Sequence, residues 1–461
     1  MKKIFKLLLV APLALSVVLT SCKKDDDETP SVTTSNTEVL EGNISADKTL
    51  DASKKYTLKG KVYVQAPYVL TIPAGTIIFG DKTTQGTLII NRGAKLNALG
   101  TAANPIIMTS SAPSGFRNTG DWGGLIMCGN ATTNKGTNIT IEGISSASAE
   151  NGLYGAGSSA AVENQNSGTI QYLRIEFAGI PLSDDNELNS FTLGGIGSGT
   201  TIDHVQVSYA NDDAIELFGG SVNAKYLVTF ATNDDDFDTD NGYSGKMQYG
   251  VVIRDNNIAD KSTSRAFEAS SNATPATTPI SAPKFANFTI VGPWAYVSDA
   301  SATNISANYG AAVEINQGSN LELHNSIVIG FPTGVRFNSA GAAALVTNNY
   351  IVSNVAENSG ATGTNYVTNN NTSSIQDLFG ATAYNKGTTA GQNKSNAASP
   401  LYFNNPTPVL AAGAAAASGA PNLSGAGFTT ETFYGAFGTS AGSSWNWTSG
   451  WLSFTPKTNA Y

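Results

Sequence analysis

Cysteine and histidine are nearly missing from this chain of 461 residues, which contains only Cys22, Cys128, His204 and His324. That scarcity removes whole chemistries. No Cys/His spacing suits zinc or another soft metal, and there is no paired-Cys redox motif. The H-E-x-x-H, G-x-S-x-G and Walker patterns are absent too, which takes away the zinc-hydrolase, serine-hydrolase and P-loop readings. Charged residues amount to only 13 %, with a net charge of −9. An anionic surface repels nucleic acid and anionic headgroups, so no nucleic-acid partner is expected. No stretch carries the periodicity of a useful amphipathic helix.

What the chain does contain is glycine, 47 of them, and 41 % hydrophobic residues, the balance of a turn-rich β protein with enough apolar surface for a core. The opening MKKIFKLLLVAPLALSVVLTSC sets three lysines before an apolar run from Leu7 to Leu19. The run is too short to span a bilayer as a mature helix, and residues 1–21 are expected to be a signal peptide. Leu19-Thr20-Ser21-Cys22 resembles a lipobox, which implies cleavage before Cys22 and acylation of its thiol; the plain alternative is an ordinary signal peptide with a chance cysteine. CKKDDDETP resembles the acidic surface-export signal of Bacteroidota lipoproteins. Together these imply an anchor in outer-membrane lipid through Cys22, a disordered tether over residues 22–37 and a place on the cell surface. With Cys22 acylated, Cys128 stands alone, no intrachain disulfide forms, and stability must come from packing.

NDDAIELFGG at 211–220 returns as NDDDFDTDNG at 233–242, an offset of 22 residues with no gap. Phrases such as GTIQYLRIEFAGI, VNAKYLVTFATNDDDFDTDNG and SNLELHNSIVIGFPTGVRFN pair an alternating strand with a bend and often a second short strand. Strand-only repeats of about 20 to 25 residues indicate stacked coils, because one coil cannot bury its own apolar face. The phrases resemble the coils of a right-handed parallel β-helix, the architecture of the pectate-lyase and polygalacturonase superfamily, over roughly Leu40 to Asn354. The opening LTIPAGTIIFG, with GDWGGLIM further on, is also similar to surface β-helix lipoproteins of Bacteroidota. The expected fold is therefore all-β, a single-stranded solenoid over 38–354, followed by Ala/Gly/Asn-rich loops and a C-terminal aromatic cap over 355–461. Trp445, Trp447 and Trp451 would cover the open end of the coil, or else stack on sugar.

Aligning the second strand of each coil gives triplets with an apolar first residue, and their middle residues form an outward column: Thr192, Glu216, Asp238, Glu268, Glu314 and Arg336, with Glu163 as an irregular earlier member. Carboxylates about 4.8 Å apart repel by roughly 1 kcal/mol in water and about 3–4 kcal/mol at an effective dielectric near 20. Something cationic should offset that: Ca²⁺, the bases Arg336, Lys225, Lys246, Arg254 and Arg265, or a cationic ligand. Hard oxygen donors favour Ca²⁺, with Asp212, Asp234, Asp236, Asp238 and Asp240 as candidate ligands, and Glu216, Asp238, Glu268 and Glu314 as candidate contacts for an extended glycan. The plainer reading is surface solubility, with Asn and Asp capping bends by accepting backbone amides and Asn211 and Asn233 forming an internal Asn ladder.

The resemblance also implies two enzymatic alternatives acting on polyuronates. In a polygalacturonase-like hydrolase, Asp212 and Asp213, with Asp234 or Asp235 as the further aspartate, would serve as general acid and base, although the Gly-His-Gly and Arg-Ile-Lys elements of that family have no counterpart. In a Ca²⁺-assisted lyase, Arg254 or Arg336 would abstract a proton. A binding protein is the favoured reading, and an accessory subunit of an outer-membrane complex is the remaining one.

Overall fold

The computed structural model describes residues 36–461 apart from 145–149, 157–159, 184–185, 272–276, 296–304, 354, 360–377, 380–405, 407 and 440–449. The expected signal peptide, Cys22, Trp445 and Trp447 lie outside the described residues. From Thr37 the chain winds as a parallel β-helix. Strands one coil apart pair in parallel, and 25 strands join one hydrogen-bonded array. The first is Thr37–Ile44 and the last Val355–Ser359, so the coil runs slightly past the expected 38–354.

Each coil has three faces, and the coil that begins at Thr201 shows how the sequence makes them. Thr201–Asp203 forms the first face, the chain bends at His204, and Val205–Ser208 forms the second. After a turn, Ile215–Phe218 forms the third, and Asn223 then starts the next coil opposite Thr201. Alternation sends Ile202, Val205, Val207, Ile215 and Leu217 into one continuous core. Four phenylalanines add to it from three coils: Phe237 stacks on Phe267 at 5.1 Å, while Phe285 and Phe288 meet both edge-on. Each buried side chain of this size contributes about 1.5–3 kcal/mol.

The bend between the first two faces consists of one residue in the left-handed region. Tyr172, His204, Tyr226, Tyr249, Asn287, Asn325 and Asn348 occupy it in successive coils, with φ between 47° and 65°. A residue other than glycine costs about 1–2 kcal/mol there. Stacking offsets the cost: Tyr172 lies 4.3 Å from His204, His204 4.4 Å from Tyr226, and Tyr226 5.0 Å from Tyr249. His204 is thus a member of an aromatic ladder.

The second face departs from simple alternation. Runs such as LVTF at 227–230, GVVI at 250–253 and IVI at 327–329 are apolar on both sides, as expected of strands covered twice. Their outward residues Val228, Phe230, Val251, Ile253 and Ile329 pack under Leu410, Ala416, Phe437 and Trp451. The cover is a C-terminal strap that passes back along the coil. Asn325 and Asn287 donate to the carbonyls of Pro421 and Phe433 at 2.9 and 3.2 Å. Gln248 and Gln206 each grip a strap residue at both its amide and its carbonyl, Thr429 and Ser453 respectively. Arg117 takes the carbonyls of Pro456 and Asn459 at 2.9 Å. The aromatic cover expected over the open end of the coil is realised at Trp451 as a lid on its flank, where the fully buried indole meets Tyr172 and His204 edge-on.

Candidate functional site

Parallel stacking keeps a residue's place from coil to coil, so the third face carries a true column. Ile126 pairs with Thr192, Thr192 with Glu216, Glu216 with Asp238, Asp238 with Glu268, Glu268 with Glu314, and Glu314 with Arg336. Glu163 is not in it. Ile126 holds the place before Thr192, and the exposed Glu163 accepts the amide of Thr132 at 3.0 Å instead.

Three residues before each column member a second ladder runs through Asn189, Asp213, Asp235 and Arg265. Asn189 Oδ1 accepts the amide of Asp213 at 3.0 Å, Asp213 Oδ1 that of Asp235 at 2.9 Å, and Asp235 Oδ1 that of Arg265 at 2.5 Å. The third residue of the twice-repeated Asn-Asp-Asp phrase is therefore a bend cap. Asn233 behaves similarly, its side-chain amide donating to the Asn211 carbonyl at 2.8 Å, though both residues are half-buried at the bend and do not form a ladder in the core.

The column divides into two halves. In the later half the protein supplies its own cations: Arg265 reaches Glu314 through Nε at 2.8 Å, Glu268 through Nη1 at 2.8 Å and Asp235 at 3.6 Å, while Arg336 meets Glu314 at 3.1 Å. In the earlier half the carboxylates gather around no arginine clamp among the described residues. Glu142, Glu187, Asp212, Asp213, Glu216, Asp234, Asp238 and Asp260 line a cavity of about 220 Å³, in which Lys261 is the basic residue. Glu142, Glu187 and Asp260 come from insertions beside the third face, which alignment of the repeats passes over. The first two insertions are seated by Ile141, Ile144 and Leu188 against Ile126 and Phe218.

Within the cavity two groups of carboxylate oxygens lie within 4.8 Å of one another: Asp212, Asp213 and Asp234, and Asp213, Glu216 and Asp238. That spacing is about twice a Ca²⁺–oxygen bond of roughly 2.3–2.6 Å, so one hard cation can touch every member of a group. Asp234 Oδ1 and Asp238 Oδ1 are buried and accept no hydrogen bond among the described residues. Burial and then Asp234 push Asp212 up to about 8. Burial pushes Asp234 up to about 6 against the help of Ser262. Asp213, Glu216 and Asp238 are held well above the carboxylate range, first by burial and then by their acidic neighbours. The donor set and its crowded negative charge fit a hard divalent cation.

Several residues expected at a site stand elsewhere. Arg254 and Asp236 are both fully buried and pair at 3.0 Å, with Arg254 over the ring of Tyr309 at 5.2 Å. Asp236 occupies the place before the strand where Ala214, Ala266 and Ala312 join the core in other coils. Neither member of this pair can face a metal or a substrate from the third face. Asp240 follows Asp238 on the outward side of its strand, opposite Phe218, and is outside both oxygen groups. Lys225 and Lys246 belong to the first face and do not neutralise the column. Arg336 is engaged by Glu314. His324 is held between Thr347 and Glu322 at 3.1 and 3.0 Å. Cys128 is buried, with its thiol pushed up to about 12 by burial.

Comparison with known proteins adds one finding. The family profile described as the pectate-lyase like beta helix domain matches residues 42–451. No curated protein and no solved structure matches the chain.

Proposed function

The chain belongs to the pectate-lyase-like β-helix family, and on that premise we propose that it is a surface-tethered binding protein whose acidic cavity takes a hard divalent cation, Ca²⁺ above all, and through it an anionic glycan. The observation that carries this reading is the pair of oxygen groups sharing Asp213. When bound, the ion supplies positive charge at a cavity whose lining has eight carboxylates and one lysine. Asp212, Asp213, Glu216, Asp234 and Asp238 would hold it, and an acidic saccharide would gain a carboxylate-to-cation contact in a cavity that otherwise repels it. The leader, the lipobox-like Leu19–Cys22 and the acidic segment after it support an acylated anchor in the outer membrane.

Thermal unfolding in EDTA and in Ca²⁺ tests the cation. A ligand that binds only the folded chain at about 100 times its dissociation constant stabilises by about 2.7 kcal/mol. The midpoint is expected to rise with Ca²⁺ in the wild type and to stay put in the Asp213→Asn, Asp238→Asn double variant. Equal midpoints with and without Ca²⁺ in the wild type sink the proposal.

A second reading, a glycoside hydrolase, is favoured by Asp212 and Asp234 lying in one cavity at about 8 and about 6, poised for acid and base roles. Release of reducing ends from polygalacturonate, lost in Asp212→Asn, would support it. The lyase reading has no such support, because its arginines are occupied by Asp236 and Glu314.

A further inference from the structure

On the first face, away from the acidic cavity, a groove of about 390 Å³ opens between the sheet and the strap. Its floor is the outward side of three successive strands, Thr201–Asp203, Asn223–Lys225 and Lys246–Gln248, and its far wall is Gly427–Phe428. The volume falls in the range of small-molecule sites, about 300–1,000 Å³.

Two lysines line this groove on a chain with a net charge of −9. Lys225 is fixed from the strap side, its Nζ donating to Thr429 Oγ1 at 2.9 Å and lying 5.9 Å from the Tyr249 ring centroid. Lys246 has no carboxylate partner among the described residues, and its Nζ rests against Gly427. A Cβ added at Gly427 would come within 2.2 Å of that Nζ, and the φ of +81° there further disfavours any side chain. The one carboxylate of the groove, Asp203, is turned to the imidazole of His204. Hydroxyl and amide groups of Thr201 and Asn223 complete the floor.

We propose that this groove is a second binding site, independent of the acidic cavity, for a small hydroxylated anion such as a sugar acid or a sugar phosphate. Lys225 and Lys246 would meet the anionic group and the polar floor the hydroxyls. Charge selects the class, since the protein's overall field repels anions and only a local pair of ammonium groups reverses it.

The test is calorimetric titration of the full folded chain with glucuronate, glucose 6-phosphate and glucose, all in EDTA so that the cation site contributes nothing. At least one anion is expected to bind, and glucose to bind at least tenfold more weakly. Binding of glucuronate alone identifies a sugar-acid site, and of glucose 6-phosphate alone a sugar-phosphate site. Lys246→Ala should weaken the anion at least tenfold and Lys246→Arg restore most of it. Gly427→Ala, which changes no charge but displaces the ammonium, should weaken it severalfold. The Asp213→Asn, Asp238→Asn variant should bind like the wild type, which separates this site from the cation site. Failure of both anions to bind, equal binding of glucose, or affinity unchanged in both Lys246→Ala and Gly427→Ala overturns the proposal.

Discussion

Arg265 decides where the acidic column stops needing help. Its guanidinium sits among Asp235, Glu268 and Glu314 as a tethered cation, while one coil earlier the same ladder place holds an aspartate. Replacing it by alanine should leave Asp235 and Glu268 without their arginine, and Glu314 with Arg336 alone, and create a further cation site. Calcium stoichiometry measured by equilibrium dialysis should rise by one ion in Arg265→Ala, and added Ca²⁺ should restore a larger share of the lost thermal stability than it adds to the wild type. An unchanged stoichiometry would mean that these acids are too far apart once the arginine is gone. At this scale the sequence was partly legible. Parallel winding conserves position, so Glu216, Asp238, Glu268 and Glu314 could be aligned without coordinates. Their division into paired and unpaired halves could not, because Arg265 stands three residues before Glu268 and its long side chain reaches across coils. Asp236 was misplaced for a related reason: it reads as one more acid in NDDDFDTDNG, yet it occupies a place that alanine fills in neighbouring coils, a signal present in the alignment.

At the scale of elements, bends and faces follow different rules. The bend column of Tyr172, His204, Tyr226 and Tyr249 pairs a left-handed backbone with ring stacking, so each aromatic is supported by the next coil. Trp451 closes that ladder from the strap side. Removing a buried aromatic of this size costs about 3–5 kcal/mol when the site cannot collapse. Trp451→Ala is therefore expected to lower the urea midpoint and to raise binding of a hydrophobic dye, with Ca²⁺ affinity unchanged. The doubly apolar second face was written in the sequence as LVTF, GVVI and SIVI, which do not alternate. Reading them as half-buried strands hid the need for a cover, and the Ala/Gly-rich C-terminal segment gives little sign that it supplies one. The end-cap expectation failed to locate Trp451 because contact between residues as far apart as Gln206 and Ser453 leaves no periodic trace.

For the whole molecule, the acidic cavity sets how stability depends on pH. Asp212, Asp213, Glu216, Asp234 and Asp238 all have folded-state values raised above those of the unfolded chain. A raised carboxyl favours the folded state while protonated, so without a cation stability is greatest below about pH 4 as far as these groups are concerned. It should fall as pH climbs through the window marked by Asp234 at about 6 and Asp212 at about 8. Calcium should abolish that fall. Unfolding midpoints in EDTA between pH 5 and 8.5, repeated with Ca²⁺, check both statements, and a flat EDTA profile would contradict the first.

Solenoids can normally gain or lose a repeat with little penalty, since every coil touches only its neighbours. Here the returning strap is gripped by Asn325, Asn287, Gln248, Gln206 and Arg117, side chains that belong to different coils. Inserting or deleting one coil between those anchors would pull grips away from their mates, so the strap ties the number of windings to its own reach.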